Sequence, residues 1–152
     1  MRSRLLLVVV LVGCQEGSPA PPSHQTLDLI EAPATTDIAA YVAPLGARAD
    51  GDHKKLVIYV GASWCEPCRY FHAAVVAHQL DERFGDLRII AFDADRDGAA
   101  LEAAGYRLPM LPLFALPGAD GRASGKQFSG SIKGNGAVAQ IAPNLRALAD
   151  LR

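Results

Sequence analysis

The stretch Leu56-Val57-Ile58-Tyr59-Val60-Gly61-Ala62-Ser63-Trp64-Cys65-Glu66-Pro67-Cys68 decides how this chain folds. Its first five residues are apolar and rich in β-branched side chains, the pattern of a buried strand. Arg69 to Arg83 read as a helix. Two cysteines three residues apart therefore sit where a strand hands over to a helix N-terminus. Unpaired backbone N–H groups and the helix dipole stabilise a thiolate there, and the thiolate is the reactive form of cysteine. Two thiols at this spacing can open and close one disulfide.

Outward from this point the chain alternates. Leu27-Asp28-Leu29-Ile30 reads as a short first strand. Thr35 or Thr36 is placed to cap a helix running to about Ala47, with Ile38, Tyr41, Val42 and Leu45 on one face. Gly51 to Lys55 is a polar turn before the strand Leu56–Val60. In the cysteine-bearing helix, Phe71, Val75, Val76 and Leu80 recur at helical spacing and are expected to face the core. Gly85-Asp86 ends that helix, and Leu87 to Phe92 reads as the next strand. Asp95 to Gly98 caps a short helix through Ala104, and Gly105 stops it. Leu113 to Leu116 is another strand, with Pro109 and Pro112 before it. Pro117 to Gly121 turns the chain into a last strand around Lys126–Ser131. Gly134 to Leu151 closes with a helix that Pro143 can kink or divide. Strand–helix alternation followed by a hairpin and a final helix predicts an α/β sandwich with a mixed sheet.

A chain of 152 residues, half of them hydrophobic, suffices for one domain with a core and not for two. Balanced charge, with 15 Lys and Arg against 16 Asp and Glu, and the lack of a basic run argue against a nucleic-acid partner. The third cysteine plays a separate part. Met1-Arg2-Ser3-Arg4 is a basic start, Leu5 to Val12 is an unbroken apolar run, and Gly13 precedes Cys14. The run is far short of the about 20 residues that cross a bilayer as a helix, and matches a secretory signal. Leu11-Val12-Gly13-Cys14 resembles a bacterial lipobox, which implies that Cys14 becomes the first mature residue and carries palmitate-type acyl chains. Residues 1–13 are then a signal peptide, 14–26 a Pro- and Ser-rich tether, and 27–152 the folded domain. Processing removes Arg2 and Arg4 and takes the formal charge from −1 to −3. Cys65 and Cys68 are left as a self-contained pair outside the cytoplasm, where disulfides persist. The expected location is the cell envelope, facing the periplasm, or the outer surface where no outer membrane exists.

From Leu27 to Leu151 the chain resembles the thioredoxin family. The features that carry this are the apolar strand, Trp64-Cys65-Glu66-Pro67-Cys68-Arg69, Leu111-Pro112-Leu113-Phe114, and Gly130 before the terminal helix. The Trp-Cys-x-Pro-Cys core is far more specific than a bare Cys-x-x-Cys. The resemblance implies a three-layer sandwich with a central mixed β-sheet flanked by helices. It also implies that Cys65 attacks a substrate disulfide and that Cys68 resolves the resulting mixed disulfide. Trp64 would shield one side of the pair, and Pro67 would stiffen the first helical turn. Cys65 is expected at the helix start with an exposed sulfur, and Cys68 one turn deeper. Pro112, which abuts the strand directly, is taken over Pro109 as the family's cis-proline. Substrates would be cysteine-containing proteins, with a second redox protein to recharge a monomeric enzyme that needs no cofactor.

Two residues depart from or inflect that pattern. Six positions before the first cysteine the family has a buried acid, and this chain has Tyr59, whose phenol at an ordinary pKa of ~10 is no base near neutrality. Water or Glu66 is left to move the proton of Cys68. Glu66 also places a negative charge beside Cys65, which disfavours its thiolate and leans the dithiol towards a reductase. A purely structural disulfide is disfavoured, because so small a loop removes little unfolded-state entropy. Zinc is disfavoured because two thiolates make half a site. His72 reads as an ordinary half-buried residue. The alternative retained is a binding module for Cu(I) or an apo-protein, since soft thiolates favour Cu(I).

Overall fold

The computed structural model describes residues 25–151. The expected signal peptide, Cys14 and the expected tether as far as His24 lie outside the described residues. The elements are β1 (Asp28–Glu31), α1 (Ile38–Gly51), β2 (Lys55–Gly61), α2 (Glu66–Val76), α3 (Asp81–Phe84), β3 (Leu87–Asp93), α4 (Ala94–Ala103), β4 (Leu113–Pro117), β5 (Ala123–Ser129) and α5 (Ala137–Ala149). The strands form one mixed sheet in the order β1-β3-β2-β4-β5. The β1–β3 and β2–β3 pairs are parallel, and β4 runs antiparallel to both β2 and β5. This is the expected three-layer α/β sandwich.

Alternation along β2 explains the two layers of core. Leu56, Ile58 and Val60 point to one face and pack with Ile38 and Val42 of α1 and Leu101 of α4. Val57 and Tyr59 point to the other, with Phe71 of α2 and Ile141 and Leu145 of α5. A strand covered on both faces reads as a continuous apolar run, which is why β2 was visible in the sequence. On the α2/α5 face, Phe114 of β4 joins Tyr59, Phe71 and Phe128, at ring-centroid distances of 5.2, 4.9 and 4.9 Å respectively.

Helix boundaries moved for identifiable reasons. Asp37, and neither threonine, caps α1, its carboxylate accepting from the Ala40 N–H. Asp93 rather than Asp95 caps α4 and accepts from the N–H groups of both Asp95 and Arg96. The helix expected over Arg69–Arg83 stops at Val76 and resumes as the short α3. His78, at φ 57°, makes the left-handed exit: its N–H bonds Val75 O and the Gln79 N–H bonds Ala74 O. The same closure, with His53 at φ 57°, ends α1 at Gly51 rather than near Ala47. Gly105 ends α4 as expected, at φ 89°. Because α2 ends at Val76, that side chain is 62% exposed instead of joining the core. The final strand begins at Ala123 rather than Lys126, and α5 runs through Pro143 as one helix.

At the β1 edge, Arg88 donates from Nε and Nη2 to Asp28 Oδ2 (3.1 and 2.9 Å), while Lys54 Nζ lies 2.8 Å from Oδ1. Partial burial opposes the charged form, but the hydrogen bonds from Lys54 and Arg88 outweigh it and hold the Asp28 carboxyl below its ordinary value of 3.8. A depressed carboxylate contributes stability above the unfolded value and loses it as pH falls through the folded one. Asp28→Asn is thus expected to lower the urea midpoint near neutrality. Its deficit should shrink as pH falls below the ordinary carboxylate range, which denaturation curves over a pH series will read.

Candidate functional site

The site is built where β2 ends. β2 delivers the chain through Ala62, Ser63 and Trp64 to Cys65, which is the N-cap of α2 with φ −77° and ψ 106°. Cys65 and Cys68 are joined in a disulfide, their Cα atoms 5.2 Å apart. The Cys65 Sγ accepts the Cys68 N–H at 3.3 Å, so the helix start itself supplies a donor to that sulfur. Once the bond is reduced, the same donor and the helix dipole favour a Cys65 thiolate. Pro67 occupies the first turn, where no backbone N–H is needed. Both cysteines are buried, at 5% and 3% exposure, so Cys65 is less open than expected.

Trp64 is 64% exposed, and its indole N–H donates to Asp95 Oδ2 at 2.9 Å. The sequence offers Asp95 as a helix cap, but Asp93 is the cap. The Asp95 carboxylate is therefore available to hold Trp64. The spacing of the two aspartates around the helix start was the only signal that could have separated their roles.

The Leu111–Pro112 peptide bond is cis. Pro112 directly precedes β4, whose first residue pairs with Val60 at the end of β2, so this bond and Cys65 lie at the same end of the sheet. Leu111 packs on the cluster that contains both cysteines. The Pro112 carbonyl accepts from the Gly130 N–H at 2.8 Å. Gly130 has φ 80°, and a Cβ there would meet Met110 Cε at 2.9 Å, so the loops before β4 and after β5 close on each other. Met110 and Ile132 on these loops are exposed, as is Trp64.

Glu66 is not free in solvent. Its Oε1 accepts the Gly134 N–H at 3.0 Å, fastening the start of α2 to the loop before α5. No local pattern in the sequence joins two positions so far apart. Tyr59 is buried and donates from its hydroxyl to the Cys68 carbonyl at 3.4 Å. Burial, with the Glu31 charge adding to it, pushes its phenol far above the ordinary range, so it holds its proton. A cleft of about 380 Å³ opens against Cys68, lined also by Glu31, Tyr59, Arg69, His72 and Arg96. His72 is exposed rather than half-buried, with Nε2 3.4 Å from Glu31 Oε1. Among the described residues, no group of three or more His, Cys, Asp or Glu side chains is placed to hold a metal ion.

Fold and site together define a thioredoxin-like fold: a five-stranded mixed sheet, helices on both faces, and a Cys-x-x-Cys disulfide at the N-terminus of α2. Thioredoxin from Trichomonas vaginalis is similar in structure over 82% of this chain and 97% of its own, at 18% identity and a TM-score of 0.50. A mutant thioredoxin from Halobacterium salinarum matches over 87% of this chain and 95% of its own, with 20% identity and a TM-score of 0.48. Oxidised thioredoxin O1 from Arabidopsis thaliana matches over 82% and 96%, with 14% identity and a TM-score of 0.49. No family model matches the chain, and no curated protein matches it in sequence. The chain has the thioredoxin fold, and the chemistry open to its disulfide is thiol–disulfide exchange.

Proposed function

We propose that this protein is a protein thiol–disulfide oxidoreductase that works outside the cytoplasm on a lipid anchor at Cys14. The observation that carries the activity is the Cys65–Cys68 disulfide at a helix N-terminus, with the Cys65 sulfur held by the Cys68 N–H. Cys65 attacks a substrate disulfide, the mixed disulfide forms, and Cys68 resolves it. The substrates are cysteine-containing proteins. Exposed Trp64, Met110 and Ile132 offer them an apolar rim, and a second redox protein returns the electrons. The anchor rests on the lipobox-like Leu11-Val12-Gly13-Cys14. Insulin reduction with a thiol donor tests the activity. Cell fractionation beside Cys14→Ala tests the anchor: the variant should leave the membrane fraction, and an unchanged distribution would count against lipidation.

The direction of flow follows from Glu66. Its charge lies next to Cys65 and disfavours the thiolate, which makes the dithiol the better reductant. The Gly134 N–H partly satisfies that charge, so the influence is modest. Glu66→Gln is expected to raise the reduction potential by no more than about 30 mV. A wild-type potential near the ~−120 mV of strong oxidants would overturn the reductase direction.

A further inference from the structure

For the resolving step to run near neutral pH, the Cys68 thiol must lose its proton, because the thiolate is the nucleophile. The groups facing the cleft against Cys68 come from five elements: Glu31 of β1, Tyr59 of β2, Arg69 and His72 of α2, Asp93 of β3 and Arg96 of α4. Most are already committed. Tyr59 keeps its proton and spends it on the Cys68 carbonyl. Arg69 donates to Ser63 O, Arg96 binds Asp97 and Ala32 O, and a guanidinium accepts no proton. Asp93 Oδ1 caps α4 through two N–H groups. Glu66, the acid nearest in sequence, bonds Gly134 and does not line the cleft. Apart from Asp93 Oδ2, what remains is His72 and its partner Glu31, and of these His72 alone lies on the same helix as Cys68, one turn on.

We propose that His72, oriented by Glu31, receives the Cys68 proton through solvent in this cleft. His72 lies four residues after Cys68, so the two share a face of α2 one turn apart. Glu31 Oε1 lies 3.4 Å from His72 Nε2, so the carboxylate draws that edge of the ring towards itself. The cleft, of about 380 Å³, is open to solvent and wide enough to admit water, which can bridge the transfer. A neutral imidazole carries both an acceptor nitrogen and a donor N–H, so it can take a proton at one ring position and pass one on at the other. In balance, the Cys68 sulfur bonds the Cys65 sulfur as the Cys65–substrate bond breaks. The substrate leaves as a thiolate with the electron pair, the Cys68 proton passes to His72, and solvent carries it on to the departing thiolate. Glu31 is a positioning residue for the imidazole.

This inference rests on the exchange activity proposed above, so its test separates the two steps. Reduced protein is mixed with a disulfide-containing peptide, quenched at intervals, and the mixed disulfide is followed by mass. With His72→Ala, formation of the mixed disulfide should proceed at the wild-type rate. Resolution should slow at least about tenfold near neutrality. The pH profile of the resolution rate should differ from that of the wild type, and free imidazole in the buffer should restore the rate. Glu31→Gln should slow resolution only a few-fold and shift the pH profile. His78→Asn, on a histidine paired with Asp81 away from the cleft, should change neither step. An unchanged resolution rate and profile in His72→Ala would overturn the relay. So would loss in Glu31→Gln alone, which makes the carboxylate the base. If the wild type forms no mixed disulfide, the exchange activity itself fails. The relay is then read in Cys65→Ser, by the pH dependence of Cys68 alkylation: removing His72 must move that profile, and an unmoved one refutes the proposal.

Discussion

Cys65→Ser is expected to abolish disulfide reduction, lowering insulin turnover at least about a thousandfold, as removal of a reaction's nucleophile does. Cys68→Ser should behave differently. Cys65 still attacks, but nothing resolves the product, so one equivalent of mixed disulfide accumulates and turnover stops. The asymmetry follows from position. Cys65 is the N-cap whose sulfur receives the Cys68 N–H, whereas Cys68 sits inside the first turn beside the cleft. Mass spectrometry of each variant after exposure to a protein disulfide distinguishes them. Trapping by Cys65→Ser instead would reverse the assigned roles, and full turnover in either would remove the exchange mechanism.

Phe114→Ala is expected to destabilise the fold by about 4 kcal/mol, within the range for deleting a buried aromatic ring. Phe114 is fully buried and its ring contacts those of Tyr59, Phe71 and Phe128. Those three come from β2, α2 and β5, so no single neighbour can move in to fill the space. Val76→Ala is the contrasting measurement. It lies on α2 as Phe71 does, yet it is mostly exposed and should cost less than about 0.5 kcal/mol. Urea midpoints of both variants check this; equal losses would mean that the α2 face has been misjudged.

The contrast between Phe71 and Val76 shows where sequence periodicity stops being informative. Helical spacing placed both on an inward face, but α2 ends at Val76 because His78 adopts the left-handed conformation. Glycine usually fills that position, and Gly105 was legible for that reason. Histidine adopts this conformation less readily than glycine, so His53 and His78, both at φ 57°, carry no stop signal. The caps shifted similarly: Thr35, Thr36, Asp37, Asp93 and Asp95 are all competent acceptors. Only the helix direction selects Asp37 and Asp93 among them.

Strand β2, the Cys65–Cys68 pair, its place at a helix start and the mixed sheet were all determined by the sequence alone. Burial on both faces, three-residue spacing and turn chemistry are local properties that the order of residues must display. The partners of the motif were decided by tertiary structure. Glu66 meets Gly134, Trp64 meets Asp95, Tyr59 reaches the Cys68 carbonyl, and Glu31 meets His72 across a cleft. Apart from the Tyr59 contact, each joins segments tens of residues apart through the crossing of strands and helices. Single polar contacts of this kind contribute only about 1 kcal/mol, too little to leave a pattern in composition or period. They arise because the packed core brings these backbones together.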